Sequence, residues 1–178
     1  MLLLWLLRHA KSAWDDPERD DFSRPLSPHG KRACRLLARH IAERGLRPDL
    51  VLCSPAVRAR QTWEGVAKGL AGDDRRPMAE IRFEPSLYMA APPTLLALVR
   101  AVPAICRKVM LIGHNPGLED FARQLTGSAD RDTLLRLASK YPTGALAELT
   151  FPVESWSQIG PGGGFLASLT APREIESK

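Results

Sequence analysis

The stretch "LLLWLLRHAKS" (Leu2–Ser12) is an apolar run that stops abruptly at Arg8 and His9. Its length decides how it reads. A bilayer span takes about 20 apolar residues, and a signal peptide carries its basic residues before the apolar core rather than behind it. A short, unbroken apolar run is the signature of a β-strand covered on both faces. The expectation is a buried strand from Met1 to Leu7 that presents Arg8 and His9 at the edge of a sheet.

The 178 residues suffice for one domain with a sizeable core, expected over residues 1–172, with 173–178 as a frayed tail. Hydrophobic residues make up 44% and charged residues 25%, as in an ordinary globular chain. The net charge of +5 is compatible with an anionic substrate, yet no Lys/Arg block marks a nucleic-acid arm, and 6% aromatic residues leave little for base stacking. Neither a nucleic acid nor a membrane is an expected partner. Cys34, Cys53 and Cys106 are odd in number and widely spaced, which argues against a disulfide framework or a zinc site. Reduced, buried thiols in a cytoplasmic protein are the expectation.

Beyond the first strand, helical and strand patterns alternate. Helices are expected from Ser27 to Arg44, closed by Gly45, from Pro55 to Leu70, from Thr94 to Ala101, and from Pro116 to Leu125, closed by Gly127. Strands are expected at Leu50–Cys53, Ile81–Phe83, Val109–Ile112, Ala145–Phe151 and Phe165–Thr170, with a loop at Gly72-Asp73-Asp74. Gly160–Gly164 ("GPGGG") reads as a hairpin-like turn; no Lys-Ser/Thr follows it, so it is not a phosphate loop. The alternation predicts an α/β fold, a three-layer αβα sandwich with a mostly parallel central sheet and helices on both faces.

Sheets of this kind bind ligands outside the carboxyl ends of their strands. Arg8 and His9 follow the first strand there, Ser54-Pro55 and then Arg58 follow the second, and His114 and Asn115-Pro116 follow the fourth. Ser27-Pro28, Ser54-Pro55 and Asn115-Pro116 all read as a capping side chain before a proline at the first helical position. One histidine at a strand end is more often structural than catalytic. Two of them, each at a strand end and accompanied by Arg8 and Arg58 at the same predicted edge, reverse that judgement. Arginine matches a phosphate with its planar fork, and histidine serves as nucleophile when neutral and as donor when protonated. The pattern points to phosphoryl transfer without a metal, since metal-dependent phosphatases need carboxylate clusters. The densest acidic groups, Asp15-Asp16 and Asp20-Asp21, read as a solvated loop. Trp14 reads equally well as a pocket wall or as loop cover.

These residues resemble the histidine phosphatase (phosphoglycerate-mutase-like) superfamily. "LLRHAKS" resembles its Arg-His-Gly signature, "RPLSPHGKRA" its Pro-Leu-Thr-x-x-Gly segment, "CSPAVRARQT" its Ser-Pro-x-x-Arg-Ala-x-Gln-Thr block, and "LIGHNPGLE" its late Gly-His block. The four blocks run in order from Leu2 to Leu125, and the short chain is similar to the SixA-like phosphohistidine phosphatase branch. The resemblance implies His9 as nucleophile, Arg8 and Arg58 as phosphate clamps, His114 as a donor to the same oxygens, and Arg24 as a further phosphate contact. It implies no metal and no cofactor. Two departures stand out. Ala10 replaces the glycine of the signature, and Ser86 falls where larger members carry a glutamate acid, with Glu84 two residues away. Without that acid, a phosphohistidine is the better substrate, because imidazole leaves once its other nitrogen is protonated, whereas an alkoxide needs a proton in the transition state. The expected partner is a phosphate-bearing substrate, a phosphohistidine protein among the candidates. A general small-molecule phosphomonoesterase, and a catalytically weak phosphate- or nucleotide-binding module, stay open as alternatives.

Overall fold

The computed structural model describes residues 1–70 and 79–176, so the expected Gly72-Asp73-Asp74 loop lies outside the described residues. Among the described residues seven strands form one sheet: β1 (Leu2–Arg8), β2 (Leu50–Cys53), β3 (Glu80–Phe83), β4 (Lys108–Gly113), β5 (Thr126–Ala129), β6 (Leu146–Phe151) and β7 (Gly164–Thr170). Their order is β3-β2-β4-β1-β6-β7-β5, which puts β1 in the middle. β1 pairs in parallel with β4 and antiparallel with β6; β6 is also antiparallel to β7, and the remaining pairings are parallel. The sheet is therefore mostly parallel, with β6 running against the rest.

Among the described residues six helices accompany it: α1 (Pro28–Glu43), α2 (Val57–Leu70), α3 (Pro92–Arg100), α4 (Gly117–Leu125), α5 (Arg131–Ser139) and α6 (Pro172–Glu176). The unbroken apolar character of β1 follows from burial on both sides. Leu2, Leu4 and Leu6 point into one core with Leu95 and Val99 of α3 and Leu118, Phe121 and Leu125 of α4. Trp5 and Leu7 point into the other, with Leu37 and Ile41 of α1, Trp63 and Val66 of α2, and Ile175 of α6. The three-layer αβα expectation holds.

Several local expectations need correction. Ser27 caps α1 as expected, its side chain accepting from the Gly30 N–H at 3.0 Å, and Gly45 ends that region at φ +61°, where a glycine pays no steric cost. α2, however, begins at Val57 rather than Pro55, and α4 at Gly117 rather than Pro116. Ser54 and Asn115 are thereby released from capping. α4 passes directly into β5, so Gly127 lies within a strand and does not close the helix. The connection from β6 to β7 carries a 3-10 turn at Trp156–Gln158 before the glycines, longer than a hairpin. The expected frayed tail is wrong up to Glu176: α6 docks on α1 and buries Ile175. All three cysteines are free and buried. Among the described residues no helix is long and apolar enough to cross a membrane.

Candidate active site

The sheet register builds the site. Arg8 on β1 lies beside Gly113 on β4, and Cys53 on β2 lies beside Ile112. The residues that follow, His9, His114 and Ser54, leave three adjacent strands at the same edge. The His9 N–H still bonds the Gly113 carbonyl at 3.1 Å and the Ser54 N–H the Ile112 carbonyl at 3.0 Å. Arg58 reaches in from the first turn of α2. Arg8, His9, Arg58 and His114 open into a cleft of about 510 Å³ lined also by Lys11, Ser12, Trp14, Asp21, Met89, Asn115, Lys140, Pro142 and Thr143, while Ser54 is fully buried.

The hydrogen bonds fix the protons. His9 Nδ1 donates to the Ala10 carbonyl at 2.8 Å, and Arg58 Nε donates to His9 Nε2 at 3.2 Å. A nitrogen that accepts from a guanidinium carries no proton, so His9 is neutral, with an unprotonated Nε2 whose lone pair accepts from Arg58. A terminal Arg58 nitrogen donates to His114 Nδ1 at 3.2 Å, which leaves His114 Nε2–H to donate to Ser54 Oγ at 2.7 Å. The two imidazole rings lie 5.0 Å apart. Burial, which outweighs the Ala10 carbonyl, together with the Arg58 and Arg8 charges, pushes His9 down to about 4. Burial, His9 and Arg58 push His114 down to about 3. Both rings are uncharged near neutrality.

A shell of contacts holds these groups. Thr62 Oγ accepts from the Ala10 N–H at 3.0 Å and donates to the Arg58 carbonyl at 2.7 Å, joining the loop after β1 to α2. Arg8 donates to the Tyr141 carbonyl at 2.8 Å, while the Tyr141 hydroxyl donates to the Leu6 carbonyl at 2.6 Å. Asn115, freed from capping, donates to Glu119 at 2.8 Å and to the Tyr141 carbonyl at 3.1 Å.

Four of the five expected site residues, Arg8, His9, Arg58 and His114, meet in the cleft. Arg24 does not line it: its guanidinium lies 3.7 Å over the Trp14 ring and 4.0 Å from the Asp21 carboxylate. Neither Glu84 nor Ser86 lines it; Ser86 is exposed on a 3-10 turn (Pro85–Leu87), and the residue this segment gives the cleft is Met89. Asp21 corrects the reading of a solvated acidic loop. Its carboxylate accepts from Arg58 at 2.8 Å and from the Tyr88 hydroxyl at 2.7 Å. Burial would raise its pKa, but those two donors outweigh burial and hold it below the usual carboxylate range. Asp21, Tyr88, Tyr141 and the role of Ser54 had no signal in local spacing, because each acts across tens of residues. Thr62 ends the CSPAVRARQT segment, and its role is set by Ala10, 52 positions away. Two neutral imidazoles beneath two guanidiniums can seat a tetrahedral oxyanion and offer it a nitrogen lone pair.

A family model described as "Histidine phosphatase superfamily (branch 1)" matches residues 4–86. An uncharacterized protein of Mycobacterium tuberculosis is 32% identical over 169 residues, covering 94% of this chain and 100% of the relative. A chloroplastic Arabidopsis thaliana protein, also uncharacterized, is 31% identical over 176 residues, covering 95% of this chain and 77% of its own. The chain belongs to the histidine phosphatase superfamily. Within it, the chain is of the SixA-like type and is a phosphatase: a solved structure from Agrobacterium tumefaciens named for the phosphohistidine phosphatase SixA is 33% identical, covers 96% of this chain and 98% of its own, and superposes with a TM-score of 0.79. A SixA structure with tungstate, at 23% identity and a TM-score of 0.75, shares the fold, covering 98% of this chain and 99% of its own.

Proposed function

We propose that the protein is a phosphohistidine phosphatase that passes the phosphoryl group to His9 and then to water. The observation that carries this is the His9 tautomer: Nδ1 is tied to the Ala10 carbonyl, so the unprotonated Nε2 faces the cleft among Arg8, Arg58 and His114. In the first step the Nε2–phosphorus bond forms as the phosphorus–nitrogen bond of the substrate breaks. The electron pair stays on the departing imidazole, which already carries a proton on its other nitrogen and leaves neutral. In the second step water attacks phosphorus, the Nε2 lone pair is restored, and both water protons leave on dihydrogen phosphate. Neither step draws a proton from the protein. Arg8 and Arg58 bind the charge spread over the three phosphoryl oxygens.

The carboxylate chemistry supports this substrate class. Among the described residues lining the cleft, Asp21 is the one carboxyl group, and its two donors keep it ionised near neutrality. It has no proton to give an alkoxide. General acid catalysis is worth about 10²- to 10⁴-fold, so alkyl phosphates should turn over slower by a factor of this order. The test compares kcat/KM on a phosphohistidine protein, an aryl phosphate and an alkyl phosphate. The expected order is as named, with the alkyl ester at least about 100-fold below the first; equal rates on the alkyl ester refute the proposal.

A further inference from the structure

Trp14 stands out in the cleft. It is 71% exposed, although a tryptophan normally buries most of its ring. One face is backed by the Arg24 guanidinium at 3.7 Å, and Arg24, itself mostly buried, is within 4.0 Å of Asp21. Asp21 in turn bonds Arg58. The ring is therefore braced from behind by the charge network of the phosphate clamp, while the remainder stays open to the cleft it lines. Met89 lines the same cleft, half exposed, and holds φ at +50°, a conformation that side chains other than glycine rarely adopt. Two large apolar side chains thus stand uncovered beside a site whose other lining is mostly charged or polar.

We propose that Trp14 is a specificity-determining residue, a platform on which the planar ring of the leaving group stacks while its phosphoryl group sits among Arg8, His9, Arg58 and His114. The proposal rests on phosphoryl transfer at His9 for its placement, but not for its test. An electron-rich indole face attracts a flat ring, and more strongly one carrying positive charge, as a phosphohistidine imidazole does once protonated. Met89 contributes a second apolar contact at the same mouth. A phosphoryl group alone occupies only part of a cleft of about 510 Å³, and the side of it lined by Trp14 and Met89 suits a ring.

Non-hydrolysable phosphonates separate this binding from turnover. Direct calorimetric binding of methylphosphonate, cyclohexylphosphonate and phenylphosphonate is measured for the wild type, Trp14→Ala, Trp14→Phe and Met89→Ala. The wild type should prefer phenylphosphonate over methylphosphonate by about tenfold, with cyclohexylphosphonate between them. Trp14→Ala should bring the ratio to within about twofold of unity by lowering phenylphosphonate affinity far more than methylphosphonate affinity. Trp14→Phe should keep most of the preference, and Met89→Ala should reduce it partly. An equal loss for all three ligands in Trp14→Ala marks a structural role and overturns the proposal, as does a wild type with no preference for the flat ring. Failure of the phosphohistidine reading shows separately, as substrate rates out of the expected order with the phosphonate preference intact.

Discussion

Replacing His9 by asparagine should flatten the acid sensitivity of the fold. Asparagine keeps a side-chain N–H that can serve the Ala10 carbonyl, which His9 Nδ1 bonds at 2.8 Å, but it cannot titrate. In the native chain His9 sits at about 4, against an ordinary 6.5. A group whose folded pKa is depressed binds protons preferentially when unfolded, so its stability contribution is complete above the unfolded value and declines as pH falls from there toward the folded value. At 1.36 kcal/mol per unit, integration predicts that His9 alone costs the wild type about 2 kcal/mol between pH 7 and pH 5. The window stays largely above the carboxylate range, and subtracting the variant cancels what the two proteins share. Urea unfolding at both pH values, analysed by linear extrapolation, reads the difference directly. The wild type should lose about 2 kcal/mol more than His9→Asn. Equal losses would mean that His9 takes up protons in the fold as readily as in the unfolded chain, and the argument that the site holds Nε2 unprotonated would fail.

Two further outcomes follow from the same geometry. His114 Nδ1 accepts from Arg58 in the unliganded site while Nε2–H serves Ser54, so with that tautomer kept it can donate to an oxyanion only after taking up a proton. Tungstate, a dianion at pH 7, should therefore bind with uptake of up to one proton in the wild type and close to none in His114→Asn, as read from calorimetry in buffers of different ionisation enthalpy; equal uptake in both removes the donor role. Gly117 opens α4 against the Ala90 carbonyl, which an added Cβ would meet at 1.8 Å, so backbone would have to move. Gly117→Ala should lower stability by about 2 kcal/mol or more, and an unchanged urea midpoint would contradict that close approach.

The parts of the fold visible in the sequence were those whose pattern is local. β1, β2 and β4 are short apolar runs, and burial on both faces is the reason they are apolar, so they read correctly. β5 escaped because Thr126–Ala129 (TGSA) is short and carries no apolar alternation at the sheet edge. α5 carries a local signal, since Asp130 caps it by accepting from the Thr133 N–H at 2.9 Å, ahead of an amphipathic turn. The proline-based helix starts misled at Ser54 and Asn115, because both side chains are claimed by longer-range partners, His114 and the Tyr141 carbonyl respectively. The site shows the same division. Arg8, His9, Arg58 and His114 were legible as residues that follow strands, a consequence of sheet topology. Asp21 was not, since its meaning comes from Arg58, 37 positions further on. Arg24 is a phosphate contact by resemblance, whereas its contact in the fold is the ring of Trp14.

The central claim is that His9 Nε2 forms a bond to phosphorus. Rapid-quench single turnover with a labelled aryl phosphate, followed by peptide mass spectrometry in alkaline conditions, tests it most directly. The account predicts a burst of protein-bound phosphate that is acid-labile and base-stable, located on His9, and absent from His9→Ala. Label on any other residue, or turnover that persists in His9→Ala, would contradict it.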